Sequence, residues 1–377
     1  MTQTRRIDLT KEPNPEEFKI FAEYLKKETN LFAGEKYGIA HSVTFSNDVF
    51  CRPCSSEKNK GQYRYEIIGK KTLGKGAFGK VFESIATIVP LQDGSYQYKV
   101  KPPQKKRVAK IQHHQGLFDK RWGYNNVLRE YHLLKQAGYH VKEPVKIQRP
   151  ERLAGSSVLV MRLLGMRNFS VVRDADACNQ IVLTTEERLI YTLAILRAVK
   201  DYVIDKNLVH RDLKPSNMRV DNAYHVSLVD FAAAKFLEEK VPENIGTPEY
   251  ASPEAVSNLV TDARADIYSL SLILAQVWGA KGIEFDEKEP RVTRRIQEKH
   301  EQYAFEDLFC RTQDLSDDHQ QKIRTILTFM HKTDKSLRPS ISDVITLFAN
   351  IQAEREVLAN KNEITEVSAA IDRVRIK

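Results

Sequence analysis

With 377 residues, 41% of them hydrophobic and 29% charged, the chain can bury two cores and keep about a hundred residues besides, which excludes disorder over most of its length. The net charge of +9 suits acidic proteins, anionic lipid or nucleic acid, but basic and acidic residues are interspersed and the run Lys101 to Arg107 reads as a solvated loop, so no nucleic-acid partner is expected. No apolar stretch reaches roughly eighteen residues, and Met1 to Arg6 leads into polar residues instead of a signal core, so a soluble protein without a transmembrane segment is expected. Four cysteines in a chain this long argue for a reducing, cytoplasmic-type compartment. Cys51 and Cys54 are spaced like a redox pair or zinc half-site, but no second pair follows, and ordinary thiols are the expectation.

In chain order, the first element is a helix: Asn14 is a suitable N-cap, Pro15 suits the first turn and Glu17 completes a capping box. Phe18, Phe21, Ala22 and Leu25 then share one face and need a cover, either the strands that follow or a partner protein. Tyr63 to Ile68 reads as a strand, and Gly74-Lys75-Gly76-Ala77-Phe78-Gly79-Lys80-Val81 follows it. The glycines let a hairpin close over a triphosphate, although by themselves an ordinary tight turn is their commoner explanation. Asp93-Gly94 marks a hairpin turn before the strand Arg107-Val108-Ala109-Lys110. Val127 to Leu134 reads as a helix with Glu130 and Leu134 one turn apart, and Val158 to Met161 as an apolar strand. From 164 to about 350 the pattern is mainly helical, with Glu187 to Ile204 and the apolar Ile267 to Trp278 as clear helices. The tail 351–377 places Ile351, Leu358, Ile364, Val367, Ile371 and Val374 in helical rhythm. It could fold back on a lobe or, like the amino-terminal stripe, serve a homodimer.

The chemistry concentrates in His210-Arg211-Asp212-Leu213-Lys214-Pro215-Ser216-Asn217, which supplies a carboxylate, cations and an amide oxygen within eight residues. Thirteen positions after Asn217 comes Asp230-Phe231-Ala232. Moving a γ-phosphoryl group needs a carboxylate to orient the attacking hydroxyl and cations to absorb charge on the phosphate oxygens. Asp212 suits the first task, Lys214 can reach the γ-phosphate, and Asn217 and Asp230 offer hard oxygen ligands to a metal. Further on stand Gly246 to Glu254, Asp266 to Leu270 and Asp334 to Pro339.

Together these segments resemble the eukaryotic-type (Hanks-type) serine/threonine protein kinases over about residues 66 to 350. The resemblance implies an α+β, bilobal kinase fold: a small antiparallel β-sheet lobe with one main helix over 66–163, and a larger helical lobe over 164–350. An extension over 1–65 and a helical tail over 351–377 would flank them. It implies ATP with magnesium, manganese being the second candidate, bound in a cleft between the lobes, and a protein substrate. Gly74, Gly76, Gly79, Val81, Ala109, Lys110 and Met161 would contact nucleotide, with Lys110 on the α- and β-phosphates and paired to Glu130. Asn217 and Asp230 would hold metal and Asp212 would be the catalytic base. Thr247 would bridge Lys214 and Asp212, a pairing that marks the serine/threonine type. Asp266 would cap the catalytic loop, and Arg338 would pair with Glu254.

Regulation departs from the usual pattern. No residue from Lys235 to Ile245 carries a hydroxyl; Glu243, four residues before Thr247, would replace the activating phosphate opposite Arg211 and Lys235, giving activity without an upstream kinase. Ala232 stands where the family has glycine, Arg219 where it has an apolar residue beneath adenine, Ser216 where arginine-directed members have glutamate, and Ser252 where alanine is usual. The divergent flanks look similar to bacterial effector kinases delivered into a host cytosol. The alternative is a pseudokinase-like ATP-binding scaffold. A small-molecule phosphotransferase would not be expected to keep Gly246 to Glu254, which shapes a peptide groove.

Overall fold

The computed structural model describes residues 4–27, 30–38, 43–54, 61–76, 79–91, 93, 95–102, 105–113, 123–147, 155–165, 167–240, 245–285, 293–303, 305–312 and 314–375. The chain divides into two compact units, Met1–Leu163 and Leu164–Lys377.

In the first unit, β1 (Arg5–Ile7) precedes α1 (Pro15–Lys27), β2 (Asn30–Leu31), β3 (Lys36–Tyr37), β4 (Val43–Phe45) and β5 (Val49–Pro53). Then come β6 (Tyr63–Gly76), β7 (Gly79–Pro90), β8 (Tyr96–Val100), β9 (Arg107–His113), α2 (Tyr124–Gln136), β10 (Val145–Ile147) and β11 (Ser156–Arg162). The main sheet is antiparallel in the order β10-β11-β9-β7-β6-β5-β2, with β8 on the last residues of β7. β1, β4 and β3 form a small second sheet in which β1 and β4 run parallel.

The described residues among the first sixty are therefore woven into this unit. The α1 capping box forms: Asn14 Oδ1 accepts from Glu17 N at 2.9 Å, and Glu17 Oε2 accepts from Asn14 N at 3.2 Å. The apolar stripe lies against the main sheet, with Phe21 and Leu25 buried beside Phe45, Ile67, Ala86 and Ile88, and Phe18 packed at the margin. Each fully buried apolar side chain there contributes on the order of 2 kcal/mol. That face is covered by its own unit.

The second unit opens with β12 (Arg167–Asn168), α3 (Phe169–Ala177) and α4 (Thr185–Tyr202). It continues through β13 (Leu208–Val209), β14 (Met218–Val220), β15 (Val226–Leu228) and β16 (Lys235–Phe236) to α5 (Pro253–Val256), α6 (Ala263–Val277), α7 (Thr293–Gln302), α8 (Asp317–Met330) and α9 (Ile341–Arg375). Thr184 and Glu187 cap α4 reciprocally. α6 is buried along nearly its whole length, as its uninterrupted apolar character requires, and packs against α4 and α8. Two small sheets, β12-β14-β15 and β13-β16, carry the loops that hold the polar residues. α9 runs without a break through residue 351; Val344, Phe348 and Ile351 are buried, whereas Leu358 is exposed. Among the described residues, no helix is long and apolar enough to cross a membrane.

Candidate active site

In the second unit β13 delivers the chain into the His210–Asn217 loop, and Asp266, fully buried near the start of α6, fixes its backbone. The Asp266 carboxylate accepts from His210 N at 2.7 Å and from Arg211 N at 2.9 Å. Burial raises the pKa of Asp266, and His210 and the two backbone donors oppose that rise. Arg211 takes a left-handed backbone (φ 65°), and its Nε donates to Ala233 O at 2.7 Å. The His210 ring packs on Phe231 with centroids 4.9 Å apart.

Held this way, Asp212 meets three donors. Thr247 Oγ1 donates to Oδ1 at 2.6 Å, Lys214 Nζ lies 2.9 Å from Oδ2, and Asn217 Nδ2 donates to Oδ2 at 3.0 Å and to the Asp212 carbonyl at 2.9 Å. Lys214 Nζ also donates to Thr247 Oγ1 at 2.6 Å, so the threonine bridges base and lysine. Gly246 makes that approach possible: at φ +110° its missing Cβ would lie 2.5 Å from Arg211 O, and any side chain would push Thr247 off the loop. Both donor hydrogens of the Asn217 amide face Asp212, which leaves its oxygen for a cation. Asp230, at φ 62°, follows β15, and Val229 N donates to Asn217 O at 2.9 Å, tying the two oxygen-bearing residues to one backbone frame. These donors suit a hard ion such as magnesium.

In the first unit, Lys110 on β9 donates to Glu130 of α2 at 2.7 and 3.0 Å, both side chains being buried. Gln112 adds a third hydrogen bond to Glu130 at 3.4 Å. Sequence reading missed it, although two residues along a strand share a face. Val81 pairs with Lys110 and with Gly74 across the sheet, and Gly76 with Gly79. Gly79 is obligatory, since at φ +139° a Cβ would lie 2.4 Å from Ile111 O. Ala109 is buried, and Met161, paired across from Val108, is half-buried like Val81.

The residues that carry this chemistry fall within a stretch, residues 67–347, that matches the model of the protein kinase domain. The chain belongs to the protein kinase family. It is similar to a serine/threonine-protein kinase of Arabidopsis thaliana, AtPK2/AtPK19, at 27% identity over 58% of this chain and 41% of that protein. It is also similar to the carbon catabolite-derepressing protein kinase of Saccharomyces cerevisiae, at 28% identity over 61% of this chain and 33% of the relative. The chain thus spans less than half the length of these relatives. Its α+β fold is that of the protein kinase domain.

Other family landmarks of the kinase lie in its second unit. Arg338 is buried and forks onto both oxygens of Glu254 at 2.7 and 2.9 Å, with its guanidinium 4.9 Å from the Tyr268 ring centre. Arg219, half-buried in β14, pairs with Asn168 and Ser227 across the sheet. Of the regulatory set, Lys235 is fully buried with its ammonium on Glu239 O at 2.5 Å, Arg211 is placed as above, and Glu243 lies outside the described residues. Cys51, Cys54, Cys178 and Cys310 are free thiols; burial pushes the Cys51 thiol up to about 11, which makes it a poor metal ligand or nucleophile.

Proposed function

We propose that this kinase transfers the γ-phosphoryl group of ATP, with magnesium, to serine or threonine hydroxyls of proteins. The observation that carries this reading is the Asp212 carboxylate held by Thr247, Lys214 and Asn217. Asp212 would orient the acceptor hydroxyl and take its proton, Lys214 would balance charge on the transferred group, and Lys110, positioned by Glu130, would contact the α- and β-phosphates. Asn217 and Asp230 would hold the magnesium, whose contribution is to neutralise charge developing on the phosphates. Activity would not require activation-loop phosphorylation. Two facts support that: Lys235 to Ile245 carries no hydroxyl, and Thr247 already engages Asp212 in the unmodified chain. Four free thiols fit work in a reducing compartment.

The test is magnesium-dependent transfer from labelled ATP to a generic protein acceptor by phosphatase-treated kinase, with Asp212→Asn as control. Equal signals from the two proteins would sink the reading in favour of a nucleotide-binding scaffold. Activity lost on phosphatase treatment would sink the claim of independence alone.

A further inference from the structure

Glu66, in β6, is fully buried and its carboxylate is saturated. Oε1 accepts from Arg52 Nε at 2.7 Å and lies 3.3 Å from Arg107 Nη1, while Oε2 accepts from the hydroxyls of Ser84 at 2.6 Å and Thr87 at 2.9 Å. Arg52 Nη2 makes a further close contact with Oε1. A carboxylate offers about four lone-pair positions, so these donors leave it no capacity for others.

Yet more cations gather here. Arg52 and Arg64 are register partners on β5 and β6, and Arg52, Arg64 and Arg107 all act on Lys101 and Lys142, with Glu66 as the opposing charge. Burial lowers the pKa of each lysine first, and the neighbouring guanidinium groups add to it. Among the described residues, Arg52, Arg64, Arg107, Lys101 and Lys142 thus share the field of Glu66. Arg52 is only 2% exposed, and its Nη1, like Nε of Arg64, has no hydrogen-bond partner among the described residues. Like charges packed around an unmet buried N–H are costly unless an anion completes the set.

We propose that this patch on the sheet of the amino-terminal unit binds a compact, multiply charged phosphate anion of the pyrophosphate or inositol-polyphosphate type, gripped by Arg52, Arg64, Lys101, Arg107 and Lys142. Forked guanidinium groups match phosphate oxygens two at a time. None of these five residues belongs to the phosphoryl-transfer set, so the site is distinct from that of the nucleotide.

Calorimetric titration of the full chain at physiological ionic strength tests this, with pyrophosphate and inositol hexakisphosphate as probes and sulfate as control. The expected result is one-to-one binding of either probe, weakened about tenfold or more by Lys101→Ala and by Lys142→Ala and kept in Lys110→Ala. The side-chain contacts described for Glu66 come from Arg52, Arg107, Ser84 and Thr87, and the lysine variants leave those four residues unchanged. Pyrophosphate alone binding would assign a linear polyphosphate, and inositol hexakisphosphate alone a cyclic one. No binding beyond that of sulfate, binding indifferent to both lysines, loss in Lys110→Ala, or capture of a phosphopeptide but neither probe would overturn the proposal.

Discussion

Asp212 and Glu66 are both carboxylates crowded by donors, but they are assembled in opposite ways. Asp212 draws Lys214 and Asn217 from within five residues and only Thr247 from farther along. Glu66 gathers Arg52, Ser84, Thr87 and Arg107 from three strands, β5, β7 and β9, that meet around it only when the sheet pairs. In the first arrangement the Lys214 side chain is still 24% exposed. The second is sealed, and its cost of desolvation is met inside the sheet. One carboxylate is built mostly from its own loop; the other is built at long range from the strands that bury it.

Four measurements can break or sharpen that contrast. Asp212→Asn should lower kcat by about 10²–10⁴-fold while leaving the urea midpoint in place; a large loss of stability would erase the distinction. Glu66→Ala strands Arg52 and Arg107 without their anion and should cost about 3–5 kcal/mol of stability, read by urea unfolding and by faster hydrogen exchange along β5 and β6. An unchanged midpoint would show that the sealed carboxylate does not hold the sheet.

The third measurement asks whether long-range burial in the second unit behaves likewise. His331 stacks on Tyr268 with centroids 4.4 Å apart, and burial holds its pKa at about 4 against an ordinary 6.5. The unfolded chain therefore takes up this proton first. Stability contributed by the neutral ring is complete above about pH 6.5 and falls as pH drops towards 4, by about 3 kcal/mol in all. Denaturation at pH 7 and pH 5 should show the loss, and His331→Gln should flatten it. The smallest effect belongs to a local device: Asn14→Ala should cost about 1 kcal/mol by removing the α1 cap, measured as a shift in urea midpoint. A loss as large as that of Glu66→Ala would show that range in sequence does not set the scale.

The same difference in range governs what the sequence disclosed. The Asn14–Glu17 box, the α4 helix and the loop from His210 to Asn217 lie within windows short enough to read directly, and the kinase resemblance supplied the long-range pairs Lys110–Glu130 and Arg338–Glu254. No local pattern announced that β2 and β5 extend the sheet beyond β6, because their register depends on pairing partners about ten to twenty residues away. Arg107 was read as the end of a solvated loop, and Arg52 and Arg64 gave no signal, for the same reason: their meeting is a product of strand order. Gln112 was readable from strand alternation once Lys110 had been placed.

The joining of β5 and α1 to the sheet has a practical corollary for anyone shortening this protein. The family match starts at residue 67, and a recombinant fragment trimmed there would keep most of its recognisable motifs while stripping a neighbour from the rim of β6 and baring Ile67, Ala86, Ile88 and Tyr98. Such a fragment would clump through its naked strand rim and greasy patch. Its silence in an assay would then report insolubility, with the catalytic groups themselves intact.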